Sequence, residues 1–256
     1  MHKKAIIVIP FFNEASRLKM SFLTSFMARP DVELLLVNDG SSDETETLLN
    51  DWSKRYPGRA SVLSLSLNQG KGEAVRQGVR AALRKDPASI GYVDCDGATP
   101  AEECLRLLES LEKAPEMVIA VLGSRVKLLG FDIRRHLSRH YSGRVFATAA
   151  SCVLDLPVYD TQCGAKFFRV SPLFQSVFEL PFHSRWLFDV ELIGRLAIGI
   201  RKEGGNPDGI LREVPLHVWH DIDGSKRRWW DYARAAIDLL RVMKNLARES
   251  ALLARK

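Results

Sequence analysis

Cysteine is scarce in this chain, and its spacing builds nothing: Cys95, Cys104, Cys152 and Cys163 make no C-x-x-C pair and no zinc-finger pattern. That argues against a zinc site or a disulfide framework and points to a reducing, cytoplasmic setting. Long apolar runs are missing as well. Nothing approaches the roughly 20 apolar residues of a spanning helix. The early run AIIVIPFF gives way to Asn13 and Glu14 with no small-residue cleavage site behind it, so it reads as a strand and not a signal peptide. If a membrane matters, the protein is expected to lie on it. The phosphate-binding pattern G-x-x-x-x-G-K-[ST] and the metalloprotease pattern H-E-x-x-H are both absent. Nor is charge concentrated as in a nucleic-acid binder: 37 basic and 31 acidic residues leave a net +6, and aromatics do not interleave with the basic run. Such a balance favours phosphates or an acidic membrane surface as partners.

What is present is alternation. Short β-branched runs at Ala5 to Ile9, Glu33 to Val37, Ser61 to Leu67, Ile90 to Val93 and Met117 to Val121 are separated by helical patterns near 14 to 28, 43 to 55, 71 to 85 and 100 to 113. That order predicts β-α-β units, a mostly parallel sheet and helices on both faces. In such sheets ligands sit beyond the C-terminal strand ends, and here those ends carry the polar residues. Pro10 and Asn13-Glu14 follow the first strand, VNDGSSDET the second, LNQGKGEAV the third and VDCDGATP the fourth.

The stretch SIGYVDCDGATP is central. Asp94 and Asp96 are two residues apart at a strand end, so both carboxylates can point at one spot, a hard-oxygen pair suited to Mg²⁺ or Mn²⁺. The same residues would also make an Asp-Gly turn with a spare Asp. Asp39 is placed to accept hydrogen bonds from a base or ribose, and Ser41, Ser42 and Asp43 can cap the next helix. Lys71 offers a point charge at a helix N-terminus. Past Gly123-Ser124-Arg125, the run RRHLSRHYSGRVF sets Arg134, Arg135, Arg139 and Arg144 beside the open side of the cleft, either as a solvated face or as an anion site. His136 and His140 are read as surface residues. HSRWLFDVELIGRLA predicts a helix with Trp186, Leu187, Val190, Ile193 and Leu196 toward the core, and its Asp189 either pairs with a core cation or points into the cleft. The C-terminal segment, 226–256, reads as an amphipathic helix: Arg227, Arg234, Arg241, Arg248 and Arg255 form one ridge, opposite an apolar face that includes Leu239, Leu240, Met243 and Leu246. Cations opposite the apolar seam favour a solvated back and a protein dock over a membrane anchor.

The ordered set IPFFNE, VNDGSSDET, NQGKGEAVRQG, VDCDGATP, GSR, DTQCGAKFFR, RWLFDVELI and IDGSK resembles the family 2 glycosyltransferases, and within them the branch that makes dolichyl- and other polyprenyl-phosphate sugars. The resemblance covers roughly residues 5 to 226; DTQCGAK and RWLFDVEL are its specific part. It implies a GT-A, Rossmann-like domain over residues 1–225, a UDP-sugar donor, Mg²⁺ or Mn²⁺ at Asp94 and Asp96, and inversion at the anomeric carbon. By the same resemblance Pro10, Glu14, Asp39, Lys71 and Asp94 would hold the nucleotide. Arg125, Arg134, Arg135 and Arg139 would receive an acceptor phosphate, while Gln162, Cys163, Gly164, Lys166 and Trp186 would line the sugar side. Asp96, Asp189 and Lys226 would be the catalytic groups. Mannosyl relatives often carry Gln where this chain has Ala98, which leans toward glucose.

The expectation is a metal-dependent inverting transferase that moves a hexose, glucose in the first instance, onto a polyprenyl phosphate, with possible peripheral membrane contact. One rival has a saccharide hydroxyl as acceptor. The other is a nucleotide-sugar-binding protein without chemistry.

Overall fold

The computed structural model describes residues 4–134, 137–185, 187–222 and 237–248, with the backbone alone for 137–145. Its strands are β1 (Ala5–Phe11), β2 (Val32–Asn38), β3 (Ala60–Ser64), β4 (Ser89–Val93), β5 (Ala120–Ser124), β6 (Asp132–Arg134), β7 (Ala165–Arg169), β8 (Leu211–Pro215) and β9 (Val218–His220). Its helices are α1 (Met20–Ser25), α2 (Thr45–Ser53), α3 (Lys71–Leu83), α4 (Ala101–Lys113), α5 (Leu137–Leu154), α6 (Pro172–Val177), α7 (Phe188–Lys202) and α8 (Pro207–Ile210), with a further helical segment at 237–248.

Seven strands form one sheet in the order β3-β2-β1-β4-β7-β5-β8, while β6 and β9 pair apart as a short ribbon. Every neighbouring pair in the large sheet is parallel except those made by β7, which runs antiparallel to both β4 and β5. Because β7 alone is reversed, its beginning lies at the edge where the other strands end. The segment DTQCG, just before β7, is thereby delivered to the same edge as Asp94.

Ile6, Val8, Ile90 and Tyr92 belong to a core layer that includes residues of α3, α6 and α7, while Ile7, Ile9, Leu34 and Leu36 belong to another that includes residues of α1, α2 and α4. The central strands are therefore apolar on both faces, as a sheet covered on both sides requires. α4 opens behind Pro100, with Glu102 and Glu103 in its first turn and Lys113 in its last, matching the helix dipole.

The β1–β4 ladder ends at Val8↔Tyr92, whereas β1–β2 continues to Phe11↔Asn38. Past Tyr92 the strand leaves β1, and Asp94 N donates instead to Gly164 O at 2.8 Å. That parting opens a crevice between β1 and β4. It also explains why Pro10, which has no N–H, is tolerated in a central strand.

Some element bounds differ from the sequence reading. Residues 14 to 18 are not helical, because Arg17 N and Leu18 N close a turn on Glu14 O and leave this loop free to meet the one after β2. β3 stops at Ser64, since the chain then crosses toward Asp39. β5 begins three residues later than expected, after a turn in which Val118 N donates to Pro115 O. The run from Leu211 to Val218 is split, and its second part pairs with β6. In the segment 237–248, Leu239, Val242 and Leu246 are buried in the same core layer as α7, while Leu240 and Met243 are exposed. The inward stripe is thus i, i+3, i+7 and narrower than the apolar seam suggested. Arg241 and Arg248 face solvent as expected; Arg227, Arg234 and Arg255 lie outside the described residues.

Candidate active site

Loops leaving β1, β2 and β3 are stitched to one another by side chains. Asn13 sits at φ +52° and accepts from Ser42 N at 2.8 Å, while its own N–H donates to Ser41 Oγ at 3.0 Å. Asp39 is buried, and both carboxylate oxygens are used: Oδ1 accepts from Gln69 N, and Oδ2 from Gly70 N and Asn68 Nδ2, at 2.8 to 3.0 Å. Those contacts make Asp39 the tether of the NQGKG loop. From the other side Arg185 clamps the same loop, donating to Gln69 O at 3.1 Å and to Asn68 Oδ1 at 2.6 Å. Gly70 is the N-cap of α3 at φ +94°, and a Cβ there would lie 2.5 Å from Arg185 Nε. Lys71 thus starts its helix from a loop held on two sides.

Its Nζ is 2.6 Å from Asp94 Oδ1 and 5.7 Å from the centre of the Phe188 ring. Burial disfavours the ammonium charge, but Asp94 and Asp189 outweigh it and raise the Lys71 pKa, so the side chain stays cationic. Asp94 stands where it does because position 164 is glycine. A Cβ there would fall 2.6 Å from Asp94 Oδ1 and closer still to Oδ2. Asp96 accepts from Ala98 N at 2.9 Å through Oδ1, and its carboxyl is pushed up from the ordinary range first by burial and then by the charge of Asp94. Glu14 is pushed up too, by burial above all, with Arg17 opposing. Its N–H is fixed to Thr45 Oγ1 at 2.9 Å.

A half-buried carboxylate whose proton affinity is raised by a second carboxylate is a place where a cation is welcome. Among the described residues no group of three or more His, Cys, Asp or Glu side chains is arranged to hold a metal. Two hard carboxylates with remaining positions open fit Mg²⁺ or Mn²⁺ completed by substrate phosphate oxygens, and do not fit zinc.

Asp189 does not face the crevice. It is buried at 2% exposure, 2.6 Å from Lys166 Nζ, and accepts from the Tyr92 hydroxyl. Lys166 is fully buried, with its Nζ also donating to Cys163 O at 2.5 Å and lying 5.4 Å from the Tyr92 ring centre. Of the two places open to Asp189 from sequence, the structure takes the core cation. Asp189 and Lys166, read from the resemblance as a catalytic group and a sugar contact, thus meet each other here, and through Cys163 O the pair braces the turn that carries Gly164. Cys163 is buried, and burial pushes its thiol up to about 12. Gln162 Nε2 and Thr161 Oγ1 are buried as well. Gln162 Nε2 has no hydrogen-bond partner among the described residues, a state that buried polar atoms seldom tolerate without a ligand or water.

Arg125, expected at the acceptor phosphate, is paired within the chain. Its guanidinium is forked onto Asp160 at 2.6 and 2.7 Å and lies 5.3 Å from the Trp219 ring centre. Tyr159 N and Asp160 N in turn donate to Glu213, each at 2.6 Å. With its fork closed on Asp160, the guanidinium holds the 159–162 turn. Arg134 is exposed on β6, paired with Asp132 at 2.9 Å; His220 Nε2 lies 2.8 Å from the same carboxylate. The side chains of Arg135, Arg139, His136, His140, Arg144, Trp186 and Lys226 lie outside the described residues. Before that stretch, at the end of β9, His220 N donates to Ala98 O at 3.1 Å. Sequence reasoning missed Asn68, Arg185, Tyr92 and Asp160. Only Asp160 had a local signal, as the first acidic residue of DTQCG.

The profile described as Glycosyl transferase family 2 matches residues 6–174. The dolichyl-phosphate beta-glucosyltransferase of Saccharomyces cerevisiae is 28% identical across 94% of this chain and 72% of its own length. That of Drosophila melanogaster is 31% identical across 92% and 73%. Among solved structures, glucosyl-3-phosphoglycerate synthase from Mycobacterium tuberculosis, in complex with Mn²⁺, UDP and phosphoglyceric acid, superposes with a TM-score of 0.68 at 18% identity, over 95% of this chain and 78% of that one. The mannosyltransferase of Pyrobaculum calidifontis, in complex with GDP-Man and Mn²⁺, gives 0.63 at 15%, over 97% and 65%. At these identities the structural likeness is one of fold, and the fold is GT-A. With the profile covering most of the chain and relatives at this identity spanning over nine tenths of it, the chain belongs to glycosyltransferase family 2.

Proposed function

We propose that this enzyme transfers glucose from UDP-glucose to a polyprenyl phosphate, with Asp94 and Asp96 holding Mg²⁺ or Mn²⁺ against the donor diphosphate. In this reading an acceptor phosphate oxygen forms the new bond to the anomeric carbon as the bond to UDP breaks. The bonding pair leaves with the β-phosphate, and the anomeric configuration inverts. A bound divalent cation would supply positive charge against the leaving diphosphate. Lys71, cationic and beside Asp94, adds charge to the same side, while the Asp39 tether and the Arg185 clamp hold its loop in place. Gln162, whose amide nitrogen is unsatisfied, is a candidate to meet a sugar hydroxyl.

The observation that carries this reading is the closed Lys166–Asp189 pair. A sugar hydroxyl needs a positioned base, worth about 10² to 10⁴ in rate, and the acidic side chain nominated for that work is buried against a lysine. A phosphate monoester has a second pKa near about 6 and is already nucleophilic at neutral pH. The similarity to dolichyl-phosphate beta-glucosyltransferases supports the same acceptor. No described helix is long and apolar enough to cross a membrane. The four cysteines are unpaired, which supports a reducing compartment, and the similarity to dolichyl-phosphate beta-glucosyltransferases supports work at the cytoplasmic face of a membrane. We retain residues 1–225 as the catalytic domain and 226–256 as an extension, whose described part, 237–248, packs against the same core layer as α7.

Labelled UDP-glucose offered with a short polyprenyl phosphate and, separately, with saccharide acceptors tests the proposal. Metal-dependent label in the lipid fraction as a β-glucosyl phosphate is expected. Transfer to saccharides alone would overturn the acceptor.

A further inference from the structure

The loop leaving β5 carries two adjacent exposed leucines: Leu129 is fully exposed, at 102%, and Leu128 is 45% exposed. Phe131 N donates to Leu128 O at 3.2 Å, closing a turn over Leu129 and Gly130. Gly130 takes φ +83°, with nothing within 4 Å of where its Cβ would stand. The tip therefore projects into open space, held there by its own backbone. Both legs are anchored at the candidate site. The outgoing leg starts at Arg125, forked onto Asp160; the return leg becomes β6, paired with β9, whose His220 is bonded to Ala98 two residues past Asp96.

Exposed leucines scattered singly are ordinary. Two side by side at a turn tip, on the edge where a lipid acceptor must arrive, are a different matter. Leaving out Arg125, which is paired with Asp160, the chain from Lys127 to Arg144 holds five basic residues and one acidic, Asp132. That surplus complements an anionic lipid surface, to which each nearby cation adds attraction.

We propose that Leu128 and Leu129 are a membrane-inserting tip, dipping below the headgroups of an anionic bilayer while neighbouring cations meet the lipid phosphates. Seated this way, the carboxylate edge of the sheet faces the membrane surface, where the acceptor's phosphate emerges. The purpose assigned to the tip rests on the polyprenyl-phosphate reading, but vesicle binding can be measured with no acceptor present.

Sedimentation of the full chain with vesicles of phosphatidylcholine and phosphatidylglycerol in equal parts is the test. Wild type should bind. Leu128→Ser/Leu129→Ser should bind at least about tenfold more weakly, given what a leucine gains on leaving water. Lys127→Gln should lose about fivefold on these vesicles and nothing on pure phosphatidylcholine. Because Leu129 is fully exposed and Leu128 nearly half exposed, the double variant should melt close to wild type and turn over a short, water-soluble polyprenyl phosphate at the wild-type rate, while failing on a long-chain acceptor embedded in vesicles. Undiminished vesicle binding by the double variant would overturn the proposal. So would a wild-type dimer that the double variant turns into a monomer while vesicle binding stays unchanged, since the leucines would then face a second copy. If neither acceptor is turned over while the double variant still loses vesicle binding, the tip stands and the acceptor reading falls.

Discussion

The carboxylate of Asp94 occupies the space that a side chain at Gly164 would need: a Cβ there would lie 2.6 Å from Asp94 Oδ1 and closer to Oδ2. The backbone joins them as well, through Asp94 N and Gly164 O at 2.8 Å. Gly164→Ala should therefore displace Asp94 from Lys71. Overpacking of this kind typically costs about 1–3 kcal/mol, a loss of roughly 2–10 °C in melting temperature for a chain of this size. Activity should fall about a hundredfold or more, beyond what the stability loss explains, in line with the penalty for misplacing a site by about an ångström. Calorimetry alongside donor kinetics checks both parts.

Lys166 and Asp189 form a buried pair whose halves depend on each other. Removing one should leave an uncompensated charge and cost about 3–5 kcal/mol, whereas Lys166→Met with Asp189→Leu should cost less than the sum of the two single changes. Denaturant unfolding of the four proteins closes the cycle. Strict additivity would mean the pair is not coupled.

Asp96 gives a prediction with a definite sign. Burial and Asp94 raise its folded-state pKa above the ordinary value, so its contribution to stability is present below the unfolded pKa and lost as pH rises through the folded one. At neutral pH without metal, the ionised side chain destabilises the fold. Asp96→Asn should then raise the melting temperature of the metal-free protein while abolishing its response to Mn²⁺ with UDP. In wild type that mixture should add about 2.7 kcal/mol at a hundred times the dissociation constant. Chelator should return wild type to its metal-free melting temperature and halt turnover.

Arg134 and Arg125 should separate in kinetics. Arg134 is exposed beside Asp132, so Arg134→Ala should raise KM for a polyprenyl phosphate about three- to tenfold with KM for UDP-glucose unmoved, and added salt should act in the same direction. Arg125→Lys should instead lower stability, because an ammonium cannot make the two-pronged contact with Asp160. Circular dichroism melts beside initial rates distinguish the two.

Much of this was legible in the chain because its signals are local. The run Ile90 to Val93 followed by two aspartates fixes a strand, an edge and a pair of carboxylates, and the alternation of short apolar runs with helical patterns fixes the layers. What escaped depends on partners far along the chain. Nothing near Ala165 announces that β7 runs against its neighbours, yet that reversal brings Gly164 to Asp94. That Asp39 also tethers the NQGKG loop, through the backbone of Gln69 and Gly70 some thirty residues on, has no signal near Asp39 itself. Arg185 clamps Asn68 across more than a hundred residues, with no motif at either end. Asp189 stood out correctly as an anomaly, but choosing between cleft and core required knowing that Tyr92 and Lys166 are register partners on adjacent strands.

The central claim is glucosyl transfer to a phosphate that brings its own nucleophilic oxygen. It is tested most directly by the acidic limb of the pH dependence of kcat/KM, measured with a polyprenyl phosphate and with a difluoromethylene phosphonate analogue of lower second pKa. The account predicts label transfer to both acceptors and a limb that moves down with the acceptor's pKa, in wild type and in Asp189→Asn alike. A limb that stays fixed when the acceptor changes, and vanishes in Asp189→Asn, would make Asp189 a true base and contradict the account.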